Sequence, residues 1–295
     1  MGKIVELITE HVISFKTVFE VLTEILDDVV MEVHNGEKKD DKFLKITMMD
    51  PSQTLVVHMK LLGKNFSTFK CKKTRFDIPL NLTQFHKLLK NVTKEESMIH
   101  IYIDRKDPQN LVFKTNNHIK KSSSLVTLKL LELTNKNYNI PPKNPQAIIS
   151  MSSQEFNRIC KYMGSFDDYV ELQCTNGSLQ FNCCGESATI KKKYVTDTNV
   201  NNDSIRIKMT NKKDIISGIF ELKNLTVFSK YSNLNNNILL FMENDEPLYI
   251  KYKVPKLGEI RLCVVPIDIE NTDKIDDENY IDDEEVVIKK EYKDN

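Results

Sequence analysis

A short pattern that occurs twice, about 70 residues apart, constrains the fold of this chain more than any other feature. Residues 85–90 read Phe-His-Lys-Leu-Leu-Lys and residues 156–161 read Phe-Asn-Arg-Ile-Cys-Lys; a fragment recurs at 228–230. Each copy follows an alternating apolar run and a polar group that can cap a helix. Residues 152–155 even have the spacing of a capping box. The repeats predict a strand followed by a basic helix, built several times.

Charge is divided unevenly along the chain, although the formal net charge is zero. The last 28 residues, 268–295, contain twelve acids and four lysines, a net charge of −8, so the body carries +8. A basic body suits a polyanionic partner, and an acidic end is typical of a disordered tail. Lysine supplies nearly all the positive charge. This composition favours contact with phosphate over readout of bases, although an AT-rich genome explains it equally well.

Cysteine spacing and hydropathy exclude several classes of protein. The six cysteines contain no C-x-x-C pair, which argues against a zinc site and against a disulfide framework. No apolar run is long enough to span a membrane, and the N-terminus lacks the apolar core of a signal peptide. The six histidines form no ligand pair, and the eight glycines leave little room for a phosphate loop. We therefore predict no cofactor, no metal, no membrane partner and no enzyme.

Hydrophobic periodicity predicts an α+β fold with many strands and few helices. Four helices are predicted: one along an apolar stripe from Val18 to Val29, one from Thr83, one at 153–163 and one at 221–231. Between them lie strands predicted at 43–49, 54–62, 66–70, 76–82, 98–104, 111–114, 125–133, 147–151, 169–174, 178–183, 187–194, 204–209, 214–220, 237–243, 248–254 and 259–265.

The segment 134–146 breaks this pattern with three prolines and four asparagines, which is typical of a linker. We predict a first domain at 1–133, a connecting linker at 134–147, a second domain at 148–270 and an acidic tail at 271–295. Each domain then contains two units of a helix with several antiparallel strands.

Basic side chains share one face of three predicted helices. Residues three or seven positions apart lie on the same face of a helix, and the apolar residues face elsewhere. A solvated helix surface would explain any one pair of basic residues. It explains less well why three helices carry such pairs in the same register. The first helix differs, because acidic residues follow its single lysine. The predicted anion-binding residues are Lys16, Lys87, Lys90, Arg158, Lys161, Lys223 and Lys230.

Several motifs resemble proliferating cell nuclear antigen, the eukaryotic-type sliding clamp. They are Met-Asp-Pro-Ser-Gln at 49–53, Phe-Lys-Cys at 69–71, Asn-Leu-Thr at 81–83, Glu-Phe-Asn-Arg-Ile-Cys at 155–160, Pro-Leu-Tyr-Ile-Lys-Tyr-Lys at 247–253 and Val-Val-Pro at 264–266. They cover most of residues 1–270. The lysine and asparagine bias resembles clamps of large DNA viruses or AT-rich protists.

The resemblance implies a DNA-clamp fold that closes as a homotrimeric ring around double-stranded DNA without reading its sequence. It also implies an ATP-dependent clamp loader, DNA polymerase and other partners with clamp-binding peptides, and a location in the nucleus or in a viral replication compartment. The strands near 125–133 and 187–194 are expected to pair between chains. The residues that match the family's peptide groove are Met49, Val56, Tyr138, Ile140, Pro141, Pro247, Val264, Val265 and Pro266. For Val56 and Val264, a position in the ordinary core explains the match equally well.

Departures from the family pattern affect the groove. Cys263 stands where the family has a tyrosine, Gln53 replaces a histidine, and Tyr138 replaces a leucine. The shape of the groove therefore differs from that of other members. Two alternatives remain open at this point: a monomeric or dimeric processivity factor held on DNA by charge, and an enzyme on a related α+β fold.

Overall fold

The structure is a computed structural model that describes residues 2–38, 41–93, 96–117, 119–133, 145–196, 205–227 and 235–267. Its helices are α1 (Val12–Leu22), α2 (Leu82–Lys90), α3 (Ser153–Met163) and α4 (Leu222–Thr226). The first nine strands are β1 (Lys3–Thr9), β2 (Asp28–Asn35), β3 (Lys42–Met49), β4 (Leu55–Leu62), β5 (Thr68–Cys71), β6 (Arg75–Asn81), β7 (Glu96–Asp104), β8 (Asp107–Asn117) and β9 (Ser122–Lys129). The others are β10 (Ala147–Ser152), β11 (Tyr169–Thr175), β12 (Ser178–Cys184), β13 (Thr189–Val195), β14 (Arg206–Met209), β15 (Ile216–Glu221), β16 (Asn237–Met242), β17 (Leu248–Val254) and β18 (Gly258–Val264).

Three antiparallel sheets organise the chain. The order is β5-β1-β7-β8-β9 in the first sheet and β13-β12-β11-β15 in another, so β9 and β13 are edge strands. The largest sheet runs β14-β10-β16-β17-β18-β4-β3-β2-β6. In this sheet β4 pairs with β18, with Val57 opposite Leu262, and the pairing joins the N-terminal half to the C-terminal half. The α+β architecture of many antiparallel strands and few helices, predicted from sequence, is confirmed.

Each half buries its helices on the sheets through aromatic side chains. Phe19 lies with its ring centroid 4.7 Å from that of Phe15 and 5.0 Å from that of Phe85. In the C-terminal half, Phe156 lies 6.2 Å from Phe181. The two phenylalanines of the sequence repeat, Phe85 and Phe156, have no exposed surface. The repeat therefore marks the point at which each helix is anchored to its core.

The predicted first helix is wrong in its bounds. The helix begins at Val12 and ends at Leu22, although the apolar stripe continues to Val29. Beyond Leu22 the backbone forms turns, and Val29 lies on β2 opposite Leu80 of β6. Five successive residues of β2 are buried, so a fully buried strand continued the helical stripe by coincidence. Strand β1 was not predicted.

The predicted starts of the second and third helices are close to those observed, and the caps explain them. The Asn81 side chain accepts a hydrogen bond from the backbone N–H of Gln84 at 2.9 Å, and the Ser152 hydroxyl accepts one from Glu155 at 3.4 Å. These contacts satisfy amides that the first turn of a helix leaves unpaired. Most of the predicted linker (134–144) and the acidic tail lie outside the described residues, so the domain limits stay predictions.

Candidate nucleic-acid interface and peptide groove

Helix α2 presents two lysines to solvent from its last turn. Lys87 and Lys90 are exposed, whereas Phe85 and Leu89 on the opposite side are fully buried. Within the described part of the chain, neither lysine has a carboxylate partner at ion-pair distance. Their charges lie at the C-terminal end of the helix, where the helix dipole favours cations. Both ammonium groups are therefore available to an external anion.

Lys16 of α1 occupies a different position from the one its sequence suggests. Its Nζ donates hydrogen bonds to the carbonyl oxygens of Lys90 at 3.0 Å and of Val92 at 3.1 Å. The Lys90 carbonyl ends α2 and has no partner inside the helix, and Val92 lies two residues beyond it. Lys16 therefore fastens α1 to the end of α2, and its role as a DNA contact stays a prediction with a competing structural use.

Helix α3 carries the second basic pair, with one member already bonded to a carboxylate. Arg158 and Lys161 are both exposed. The Arg158 guanidinium donates two hydrogen bonds to Glu155, at 2.7 and 2.8 Å, and Tyr194 of β13 donates a third at 2.7 Å. The hydrogen bond from Arg158 is the main cause that lowers the pKa of the Glu155 carboxyl. Glu155 therefore offsets part of the charge that α3 presents.

Helix α4 repeats this arrangement with Lys223. Its ammonium lies 2.5 Å from the Glu221 carboxylate, which raises the lysine pKa. Lys161 and Lys223 line one depression between α3 and α4, together with Asp167 and Asp168. The structure thus brings two predicted anion-binding residues together in the C-terminal half. Lys230, predicted on the same helix, lies outside the described residues.

The start of the predicted peptide groove is a turn organised by Asp50. Its carboxylate accepts hydrogen bonds from the backbone N–H groups of Leu55 at 2.7 Å and of Ser52 at 3.2 Å. The Met-Asp-Pro-Ser-Gln motif is therefore a side-chain-stabilised turn between β3 and β4. From β15–α4 in the other half, Asn224 donates a hydrogen bond to the Thr54 hydroxyl at 3.1 Å, which fixes the turn against the C-terminal half.

Alternation along the strands decides which groove candidates face away from the helix-bearing core. Leu55 and Val57 are core residues on one face of β4, so Val56 points to the other. The registers place Met49 opposite Val56 and Val56 opposite Cys263. These cross-strand partners form one row across the large sheet, and the row continues with Tyr249, Phe241 and Ile148.

Of the two positions left open for Val264, core or groove, its burial favours the core. Val264 is opposite Leu55 and Leu248, which are core residues, and none of its surface is exposed. Because successive residues of a strand point to opposite faces, Cys263 points to the same face as Val56 and Val264 packs into the core. Sequence analysis noted Cys263 only as a departure from the family. Period-two alternation along residues 259–264 was the signal that could have identified it.

The rim of the row is partly exposed. Val265 has 41% of its surface exposed, and Pro247 and Pro266 are partly buried. Burial raises the pKa of the Tyr249 phenol, and the adjacent Cys263 adds to the effect. Tyr138, Ile140 and Pro141 lie outside the described residues. The groove assignment of the remaining residues stays a prediction that their positions support.

The described residues contain no group of three or more histidine, cysteine, aspartate or glutamate side chains that could hold a metal ion. The six cysteines, all of which are described, form no disulfide, and burial raises the pKa of Cys174 to about 11. Within the same part of the chain, no helix combines the length and the hydropathy that crossing a bilayer requires.

Comparison with known proteins agrees with this architecture. Residues 5–137 match the family described as proliferating cell nuclear antigen, N-terminal domain, and residues 139–267 match the corresponding C-terminal domain. The chain is 26% identical over 255 residues to a probable DNA polymerase sliding clamp 1 of Paramecium bursaria Chlorella virus 1, covering 85% of this chain and 92% of that protein.

A solved structure supports the fold independently of the sequence. The crystal structure of proliferating cellular nuclear antigen from Entamoeba histolytica superposes with a TM-score of 0.77 at 19% identity, covering 90% of this chain and all of that one. The two family matches together span both halves of the described structure, including the sheet that joins them. The chain is therefore a divergent member of the proliferating cell nuclear antigen family of DNA polymerase sliding clamps.

Proposed function

We propose that this clamp closes as a homotrimer around double-stranded DNA and tethers DNA polymerase and other peptide-bearing partners to it. The observation that carries the proposal is the pair of free sheet edges. Strand β9 ends the first sheet and β13 ends the four-stranded sheet, so each chain offers one open edge at β9 and another at β13. A head-to-tail contact between different edges generates a ring when the rotation closes.

Exposed apolar side chains lie at both edges. Leu125 on β9 is 59% exposed and Val195 on β13 is 65% exposed. Glu155 of α3 is bonded to β13, and at the end of this helix the exposed ring of Tyr162 contacts that of Phe166, which lies just beyond the helix, with centroids 5.4 Å apart. Large exposed apolar groups beside an open strand edge are typical of a surface that another chain covers.

Contact with DNA is then electrostatic and independent of base sequence. Lysines that meet phosphates release counterions, so binding weakens steeply with salt but does not discriminate bases. A closed ring needs only weak contacts, because topology holds it on the duplex. An ATP-dependent loader is needed to open the ring, and the site of action is the nucleus or a viral replication compartment.

The mass of the purified protein in solution is the first test. We expect light scattering to give three times the chain mass of 34.3 kDa at micromolar concentration. A clamp loaded on nicked circular DNA should remain bound and should slide off after the circle is linearised. A protein that stays monomeric or dimeric, and is retained equally on both DNAs, would instead be a factor held by charge.

The groove is tested by placing a negative charge at its central position, Cys263. Cys263→Asp should abolish binding of a peptide from the partner polymerase while leaving the oligomer mass unchanged, because a carboxylate would be placed in the apolar row. Lys253→Asp is the control. Lys253 is an exposed residue of β17 and points to the face of the sheet that carries the row, as Tyr249 does. Equal peptide binding by both variants would show that the groove lies elsewhere.

A further inference from the structure

The acidic tail contains a near copy of the edge strand β13. Residues 190–194 of β13 read Ile-Lys-Lys-Lys-Tyr, and residues 288–292 of the tail read Ile-Lys-Lys-Glu-Tyr. Four of the five positions are identical, and the one difference replaces a lysine with a glutamate. Two β-branched valines, at 286 and 287, precede the copy, and such residues are favoured in strands.

The shared positions include the two that anchor β13. Ile190 is opposite Cys183 and Tyr194 is opposite Leu179, both of which are buried in the core. Ile190 and Tyr194 are accordingly packed against the core, whereas Lys191 and Lys193 point to the other face. The tail preserves the isoleucine and the tyrosine at the same spacing. The single difference, Glu291 in place of Lys193, falls on the face that points away from the core.

Strand β9 offers a suitable free edge. The backbone N–H of Leu130, just after β9, donates to the carbonyl of Gln109 in β8 at 2.9 Å. Because donors alternate along an antiparallel strand, the N–H groups of Leu125, Thr127 and Lys129 point away from β8. On the core-facing side, Val126 and Leu128 are partly buried opposite Phe113 and Leu111. A strand with an isoleucine and a tyrosine on that side would extend this apolar surface.

Charge favours the tail over β13 at this edge. The outward face of β9 includes Lys129, which is opposite Asn110 of β8. The lysines of β13 would meet the like charge of Lys129, which is destabilising across a strand pair. In the tail, glutamate replaces the lysine at this face, and residues 282–285 just before the copy are four carboxylates.

The tail starts beside the same four-stranded sheet that β13 ends, at its other edge. The backbone N–H of Ile267 donates to Ile219 of β15 at 2.8 Å, and β15 is three strands from β13 in the four-stranded sheet. Three strand spacings are roughly 14 Å. The 20 residues from 268 to 287 can span up to roughly 65 Å when extended. The copy can therefore reach any strand that pairs with its own β13.

We propose that residues 286–293 of each chain bind as a strand to the free edge of β9 in the neighbouring chain, in competition with β13. This inference rests on the proposed ring, in which β9 and β13 pair between chains. The tail then acts as a tethered competitor that weakens closure. Tethering gives it a high effective concentration at the interface, so modest intrinsic affinity is sufficient.

Photo-crosslinking in the full-length protein tests the site. A benzoylphenylalanine replaces Tyr292, and chains with heavy and light isotopes are mixed so that adducts between chains can be recognised. We expect adducts on residues 125–129 of a neighbouring chain. The same group at Tyr280, in the tail but outside the copy, is the control and should not concentrate adducts there. Adducts at position 292 that fall mainly on the basic helices or the large sheet would overturn the proposal.

The effect on closure is measured by the dissociation constant of the trimer. The double variant Ile288→Ser/Tyr292→Ser should tighten the ring, because the competitor loses both anchors. Two cross-strand contacts of ordinary strength correspond to roughly a two- to thirtyfold lower constant. The matched control is Ile269→Ser/Tyr280→Ser, which changes the same residue types elsewhere in the tail. Glu291→Lys should act in the same direction with a smaller effect.

The outcomes separate the tail from the ring. A wild-type protein that never exceeds the mass of a monomer rejects both the ring and the tail proposal. A trimer whose dissociation constant is unchanged, or raised, in the Ile288→Ser/Tyr292→Ser variant rejects the tail proposal alone.

Discussion

The two halves of the molecule repeat one architecture but arrange their charges differently. In the N-terminal half, Lys87 and Lys90 of α2 extend from the helix with no carboxylate of the described residues beside them. In the C-terminal half, Arg158 is bonded to Glu155 and Lys223 is paired with Glu221. Equal spacing of basic residues in sequence therefore does not mean equal charge at the surface. A polyanion would meet a stronger field on α2 than on α3 and α4.

Removing the two buried phenylalanines of the repeat should show that both halves anchor their helices in the same way. Phe85→Ala and Phe156→Ala each empty a fully buried site on a sheet. Each should lower the free energy of unfolding by about 3–5 kcal/mol, through lost transfer energy and a residual cavity. Urea denaturation at one fixed protein concentration measures both, since oligomerisation couples stability to concentration. A cost below about 1 kcal/mol for one phenylalanine would show that the two helices are not anchored alike.

Acid should distinguish the halves, because all six histidines precede residue 119. Burial is the main cause that lowers the pKa of His58, to about 4, and of His86 and His100. A histidine whose folded pKa is depressed contributes stability above its unfolded pKa of about 6.5 and loses it as pH falls towards the folded value. His58 alone should cost on the order of 2 kcal/mol by pH 5.

Hydrogen exchange at pH 7.5 and pH 5, corrected for the intrinsic rate, locates this loss. Protection should fall first in β3, β4 and β7, which lie beside His58 and His100. The His58→Gln variant should lose less stability between these pH values than the wild type. An unchanged pH dependence in this variant would contradict the assignment to His58.

Removing the two carboxylates should make the C-terminal helices resemble α2. Glu155→Gln/Glu221→Gln frees Arg158 and Lys223 for phosphate contact. DNA affinity should rise, and the slope of log affinity against log salt should become steeper by up to about 2, since each new phosphate contact adds roughly 0.9. Glu132→Gln/Glu243→Gln removes the same charge elsewhere and is the control. A slope that changes equally in both double variants would indicate only a general charge effect.

Lys16 should contribute to stability and little to DNA binding. Lys16→Met removes the hydrogen bonds to the last carbonyls of α2 and should lower the free energy of unfolding by about 0.3–1 kcal/mol. Lys87→Met, the comparison, should leave stability nearly unchanged and weaken DNA binding. If Lys16→Met instead weakened DNA binding and left stability unchanged, Lys16 would be a DNA contact, as its sequence position predicts.

The anchors and helices were predictable because both depend on local pattern. Phe85 and Phe156 stand at matching positions of a repeat, and a capping side chain starts both α2 and α3. The bonds of Lys16 to α2 were not predictable, since they join residues more than seventy positions apart. The choice between Cys263 and Val264 depended on strand register, because a shift of one residue exchanges the two faces. The apolar stripe predicted the end of α1 wrongly, because the buried strand β2 continues the same spacing of apolar residues.

The pairing of β4 with β18 has a consequence for how the chain is made. Val57 on β4 meets Leu262 on β18, about two hundred positions later in the sequence. During synthesis the edge of β4 stays uncovered until almost the entire chain has left the ribosome. Contacts this distant in sequence form slowly, and an open edge of a sheet is a template for wrong pairing. The nascent N-terminal half is therefore the stage at which this protein is most exposed to aggregation and most dependent on chaperones.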